Sequence, residues 1–262
     1  MPMSSSPAVA VAVASAAVVA LAVANRVLYK LALVPLKSYP FLLAQLTTFG
    51  YVTVYFSILY ARYRAGVVTR DMLTLPKIRF AVIGLLEALG VAAGMSAGAM
   101  LPGPAIPILS QGKRPDIFVV NSFGSGFQAL VVFLLLPLLS NLRGIKLAEL
   151  SGHLNGGAEC FLNVGESPID CGGAPFLPLL FIFVNMAFNI SLLNLVKMSS
   201  AVVASLTATS AVPISIYILS LPLPYIPQGA ELSASFIFGG IVLLMGLILY
   251  NLPQSSKESK TD

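Results

Sequence analysis

Charge is scarce in this chain, and so are the side chains that most often do chemistry. Only 10% of its 262 residues are Asp, Glu, Lys or Arg while 57% are hydrophobic, against about one quarter and one half in a soluble domain. That excludes an ordinary water-facing globular protein. One histidine and two cysteines are too few for a structural zinc site, which takes four ligands, so neither a metal nor another cofactor is expected. No Walker sequence or Gly-rich phosphate loop is present, and no serine and histidine stand as nucleophile and base, so no enzyme is indicated. The alternating, ten-residue segments of a membrane β-barrel are missing as well.

What fills the space is a series of long apolar runs. A helical crossing of a bilayer takes about 20 apolar residues, and seven windows qualify: residues 8–34, 41–61, 80–101, 117–139, 175–196, 201–223 and 233–252. The expected fold is therefore an all-α, multi-pass membrane protein with about seven transmembrane helices, a loop over 140–174 and a polar tail over 253–262. Residues 8–24 also fit the apolar core of a signal peptide, with Ala22, Val23 and Ala24 as a cleavage site. Against cleavage, residues 1–6 carry no basic side chain and the apolar pattern resumes after Lys30.

The net charge of +5 is bunched. Arg62, Arg64, Arg70, Lys77 and Arg79 face one acid, Asp71, between the second and third windows, which marks that loop as cytosolic and the N-terminus with it. This basic loop reads as an orientation signal and lipid-headgroup contact, so no nucleic-acid partner is expected. Arg143 and Lys146 are outnumbered by Glu149, Glu159, Glu166 and Asp170, which places the 140–174 loop on the other side. Lys197 is then inside, Glu231 outside, and Lys257 and Lys260 inside. A parity conflict results, because the third window should end outside while the fourth, preceded by Lys113 and Arg114, should begin inside. Residues 102–112, with Pro102, Pro104 and Pro107, are too few for a lipid-facing crossing.

Cys160 and Cys171 both fall in the non-cytosolic loop, flanked by Gly156, Gly157, Gly172 and Gly173. They form either a bridge closing a short loop or two free thiols.

Polar groups at membrane depth are costly and face a bundle interior or a water-filled path. Asn121, Ser125 and Gln128 share one stripe of the fourth span, Asn185 and Asn189 one stripe of the fifth, and Ser205 and Thr209 one of the sixth, followed by Pro213. Each stripe alone reads as helix-to-helix glue; three in succession point equally to a shared polar cavity. Asn25 and Arg26 close an Ala/Val run, with Lys30 one turn beyond and able to snorkel. Glu87 lies inside the third span, either as a proton-linked switch or as a structural acid neutralised by Arg26. Gly90, Gly94 and Gly98 follow at steps of four, the signature of close helix contact.

The strings Asn25-Arg26-Val27-Leu28-Tyr29-Lys30, Tyr39-Pro40-Phe41, Gln45-Leu46-Thr47-Thr48-Phe49-Gly50, Phe118-Val119-Val120-Asn121-Ser122, Cys160-Phe161-Leu162-Asn163 and Asn189-Ile190-Ser191-Leu192-Leu193 resemble the plant chloroquine-resistance-transporter-like family of the drug/metabolite transporter superfamily. The resemblance runs from Asn25 to Tyr250. It implies a ten-helix carrier of two inverted five-helix repeats around a central cavity. It further implies that Asn25 and Arg26 guard that cavity, that Glu87 is a third-helix acid, and that Cys160 and Cys171 pair in a disulfide-bearing loop. After Leu109-Ser110-Gln111 the chain departs from the family, jumping at Gly112 to the segment before the family's seventh helix. This accounts for the parity conflict and makes the chain an incomplete version of the ten-helix fold.

The resemblance implies a transporter of thiol peptides, glutathione and γ-glutamylcysteine, across the plastid envelope, with the shortened form inactive if the cavity wall fails. Arg26 would meet the anionic peptide, and Asn121, Gln128, Asn185 and Asn189 its amides. Competing expectations are a nucleotide-sugar or phosphate-ester carrier of the same superfamily, for which Lys197 is the lone late-helix cation, and a non-transporting protein. The last is either a seven-helix receptor-like bundle or a partner that associates with full-length carriers.

Overall fold

Helix follows from the continuity of the apolar runs, because a backbone in lipid must satisfy its own hydrogen bonds. The structure, a computed structural model, describes residues 7–97, 116–142, 145–164, 171–227, 238–239, 241–242 and 245–246. Its named helices are α1 (Pro7–Ala32), α2 (Pro40–Arg64), α3 (Arg70–Leu73), α4 (Lys77–Ala97), α5 (Ile117–Leu142), α6 (Leu147–Leu162), α7 (Phe176–Met198) and α8 (Ala201–Ser220). Among the described residues, five stretches are long and apolar enough to cross a membrane: Ala8–Ala32, Phe41–Arg64, Ile117–Asn141, Phe176–Met198 and Ala201–Ser220. The chain is an all-α, multi-pass membrane protein. The expected 80–101 span is represented by α4 as far as Ala97. Residues 98–101, the Pro-rich connection before Asp116, most of the 233–252 span and the 253–262 tail lie outside the described residues.

Large apolar side chains line the outside of the bundle as well as its core. Leu130, Phe133, Leu134 and Leu138 on α5, and Val82, Leu85 and Leu89 on α4, are exposed apolar side chains at helical spacing, the lipid-facing stripes. Between the helices, Asn25, Gln45, Thr48, Ser122, Ser125, Gln128, Ser140, Asn185 and Ser215 are buried.

Contact pairs set the relative directions. Phe41 packs with Leu136 and Leu139 at one end, Phe56 with Phe123, and Arg62 with Asp116 at the other, so α2 and α5 are antiparallel. Tyr29 meets Phe181 while Val18 meets Leu195, so α1 and α7 are antiparallel too. α4 behaves differently. Phe80 stacks on Phe123 and Gly84 lies against Gly124, Phe127 and Gln128; residue numbers rise together, so α4 and α5 run parallel. The end of α4 and the start of α5 therefore lie at opposite ends of the bundle, which is the parity conflict in three dimensions.

Two features pin this arrangement. The Arg62 guanidinium donates to Asp116 Oδ2 at 2.7 Å and sits 5.0 Å from the centre of the Phe118 ring. Asp116 Oδ1 also accepts from the Phe118 N–H at 2.9 Å, capping the first turn of α5 with a carboxylate where the helix dipole favours one. At Gly84, an added Cβ would stand 2.6 Å from Phe127 Cβ and 2.7 Å from the Gln128 nitrogen, so only glycine permits this crossing. Gly90 does not supply it, since nothing among the described residues lies within 4 Å of a Cβ added there; the side-chain positions of Gly94 and Gly98 lie outside the described residues.

The 140–174 region is not simply a loop. It contains α6, which packs on α2 and α5 and seats Gly156 and Gly157 on Tyr39 and Leu42. His153 stacks 5.0 Å from the Tyr39 ring, and Asn163, with φ 53°, ends the helix in the left-handed conformation. Cys160 and Cys171 are joined in a disulfide; both are buried, and Cys160 Sγ touches the Pro35 carbonyl at 3.1 Å. The disulfide thereby packs against the α1–α2 corner, in one cluster with Ala32, Leu36 and Leu43.

Candidate functional site

The polar groups of the spans form two neighbourhoods. On α1, Asn25 is buried and Arg26 directs its two terminal nitrogens to the Ala208 carbonyl of α8, at 3.4 and 3.5 Å. Pro213 stands inside α8 and has no N–H, so the Thr209 carbonyl loses its helical partner and the ladder opens there. The adjoining carbonyl of Ala208 receives Arg26. The Arg26–Glu87 pairing considered from sequence is not made: Arg26 bonds α8 instead.

The second neighbourhood joins α2 and α7. Tyr51 and Tyr55 are buried, with ring centres 6.0 Å apart, in one cluster with Phe181, Ile182 and Met186. The Tyr55 hydroxyl approaches Asn189 without a well-directed hydrogen bond. Asn189 donates to Asn185 Oδ1 at 2.8 Å, a bond within α7 and not a tie between helices.

On α5, Ser125 and Gln128 are buried. Ser125 donates to the Ser122 carbonyl at 3.1 Å, and Asn121 Nδ2 is buried without a partner. On α8, Thr209 donates to the Ser205 carbonyl at 2.7 Å, while Ser205 itself is exposed. The structure thus joins Asn185 to Asn189 on α7, and sets Arg26 apart on the α1–α8 contact.

Several functional candidates escaped the sequence pattern. Tyr51 and Tyr55 count as apolar in any hydropathy window, although their hydroxyls are polar groups at depth. Gln45 was seen only as part of a string, yet both its amide atoms are buried and unpartnered. Among the described residues, the unpartnered set also includes Asn25 Oδ1 on α1, Tyr55 OH on α2, and Asn121 Nδ2 and Ser122 Oγ on α5. Most buried polar atoms in proteins have a partner, and an orphan at this depth calls for water or a solute.

Comparison with known proteins agrees with this architecture. The CRT-like, chloroquine-resistance transporter-like family matches in two stretches, residues 11–123 and 112–250. Protein CLT2, chloroplastic, of Arabidopsis thaliana is 48% identical over 321 residues, covering 90% of this chain and 74% of the relative. Protein CLT3, chloroplastic, of the same plant is 41% identical, covering 91% and 72%. Protein CLT1, chloroplastic, is 40% identical, covering 95% and 74%. The 321 positions aligned with CLT2 exceed the chain's 262 residues by 59, so at least that many residues of the relative lie opposite nothing here. No solved structure matches. The relatives and the apolar helices make this an integral membrane protein of the plastid with a transporter's role. The chain belongs to the plant CRT-like, chloroquine-resistance transporter-like family.

Proposed function

We propose that the chain carries small thiol peptides, glutathione and γ-glutamylcysteine, across the plastid envelope. The observation that supports this best is the set of buried, unpartnered hydrogen-bonding atoms on three helices, Asn25, Gln45, Tyr55, Asn121 and Ser122. A dry bundle would gain by replacing them with apolar groups, whereas a passage for a peptide needs amides and hydroxyls that stay unsatisfied until the solute arrives. In this reading Arg26 meets a carboxylate of the solute, and Asn121, Gln128, Asn185 and Asn189 bond its amides, with Glu87, Ser125, Ser205 and Thr209 as further polar lining. Purified protein in liposomes tests it: uptake of labelled glutathione, competed by γ-glutamylcysteine and not by a nucleotide sugar, is the expected result. Absence of thiol-peptide flux, with flux in a form carrying the block found in the relatives, refutes it for this chain.

The parallel pair of α4 and α5 favours one second reading, in which the chain associates with full-length carriers and does not transport alone. Co-purification of tagged chain with a full-length relative, together with absent flux by the chain alone, distinguishes that outcome.

A further inference from the structure

We propose that the elbow between α2 and α4 is a binding site for the phosphodiester headgroup of an anionic membrane lipid, built on Arg64 and Arg70. The elbow is an ordered turn. After Arg64, the Val67 and Val68 N–H groups both donate to the Arg62 carbonyl, at 3.0 and 3.3 Å, and Gly66 takes φ +72°, a left-handed position suited to glycine. Val68, 2% exposed, drops into the cluster of Leu59, Phe80 and Val119, with Met72, Leu73 and Leu75 packed beside it. Opposite this anchored side, Val67 is 51% and Ile78 70% exposed. Apolar side chains facing outward at the ends of two membrane-entering helices lie within a turn, about 5 Å, of the headgroup layer.

The basic groups are not equivalent. Arg62 is committed to Asp116, and the Lys77 ammonium donates to the Leu73 carbonyl and sits 3.9 Å from the centre of the Phe123 ring. Arg64 is exposed, with no hydrogen bond or ion pair to any described residue. Arg70 donates through Nε to the Tyr63 hydroxyl at 3.3 Å, which steadies the guanidinium and leaves its two terminal amino groups outward. Asp71, at the first turn of α3, is the one acid among these residues, so the elbow keeps a positive balance. Two exposed guanidiniums on the same elbow as two exposed apolar side chains fit a phosphodiester whose acyl chains lie along the helices.

The full chain in nanodiscs of neutral lipid, titrated with short-chain phosphatidylglycerol or phosphatidylcholine and read by native mass spectrometry, tests the site. One basic residue at an anionic surface contributes about fivefold, so Arg64→Gln with Arg70→Gln lowers the phosphatidylglycerol preference about 25-fold, while Arg64→Lys with Arg70→Lys keeps most of it. Unchanged melting of the Gln variant in neutral lipid confirms that the fold is intact. Equal retention of both lipids by the native chain, an undiminished preference in the Gln variant, or displacement of the lipid by soluble polyglutamate overturns the proposal.

Discussion

Alanine at position 84 provides the sharpest test of the α4–α5 crossing. The new methyl group would stand 2.6 Å from Phe127 Cβ, 2.7 Å from the Gln128 nitrogen and 2.8 Å from the Gly124 carbonyl oxygen, against about 3.5–4.0 Å for favourable carbon contact. Two of the three obstacles are α5 backbone, which no rotamer change relieves. The helices must part by about 1 Å, and a gap of that size forfeits a quarter to a half of each dispersion contact along the seam. Overpacking of this kind costs about 1–3 kcal/mol, and the backbone character of the clash puts Gly84→Ala in the upper half, about 2–3 kcal/mol. At about 2–4 °C per kcal/mol for a chain of this size, Tm in detergent falls by roughly 5–10 °C. Gly90→Ala is the matched control: nothing lies within 4 Å, so it is neutral or stabilises by up to about 1 kcal/mol through helix propensity. Both variants are read by thermal denaturation followed by far-ultraviolet circular dichroism. Equal melting of the two refutes a parallel α4–α5 contact through Gly84.

Three further predictions concern other parts of the bundle. Reducing the disulfide, or changing Cys160 and Cys171 to serine, opens a loop of separation 11 and costs about 3 kcal/mol by the chain-entropy account, seen as a lower Tm that added reductant no longer shifts. Asn121→Leu removes an unpartnered buried amide, so it raises thermal stability by about 1–3 kcal/mol while lowering thiol-peptide uptake; a loss of stability instead marks Asn121 as glue between helices. Arg62→Ala removes both the Asp116 ion pair and the Phe118 ring contact, for about 1–2 kcal/mol in all, and a double-mutant cycle with Asp116→Ala recovers the coupling.

The membrane spans were legible because continuity of apolar residues is a one-dimensional property, and the helix directions agree with the charge pattern. α6 was not, because Asn155, Gly156 and Gly157 at its centre read as loop-formers; they are helical because two glycines let the backbone settle on Tyr39 and Leu42, a contact distant in sequence. The glycine of the α4–α5 crossing was not legible for a similar reason. Regular spacing singles out Gly90, Gly94 and Gly98, whereas Gly84 lies outside that four-step series and is recognised only by what lies opposite. Among the polar residues, Asn121, Asn185 and Asn189 announced themselves as amides in apolar text. Tyr51 and Tyr55 did not, since a phenol ring counts with the hydrophobes while its hydroxyl does not.

Parallel neighbours carry a consequence for biosynthesis. A chain threaded helix by helix leaves each finished helix with its tail on the far face, and the next ordinarily begins where the last one stopped. α5 begins at the opposite face from the end of α4, so the second half of this protein must be inserted as though an even number of crossings preceded it, whereas α1, α2 and α4 make three. Taking out an even number of helices keeps two such halves in step; taking out an odd number makes the joint between them the place where insertion succeeds or fails.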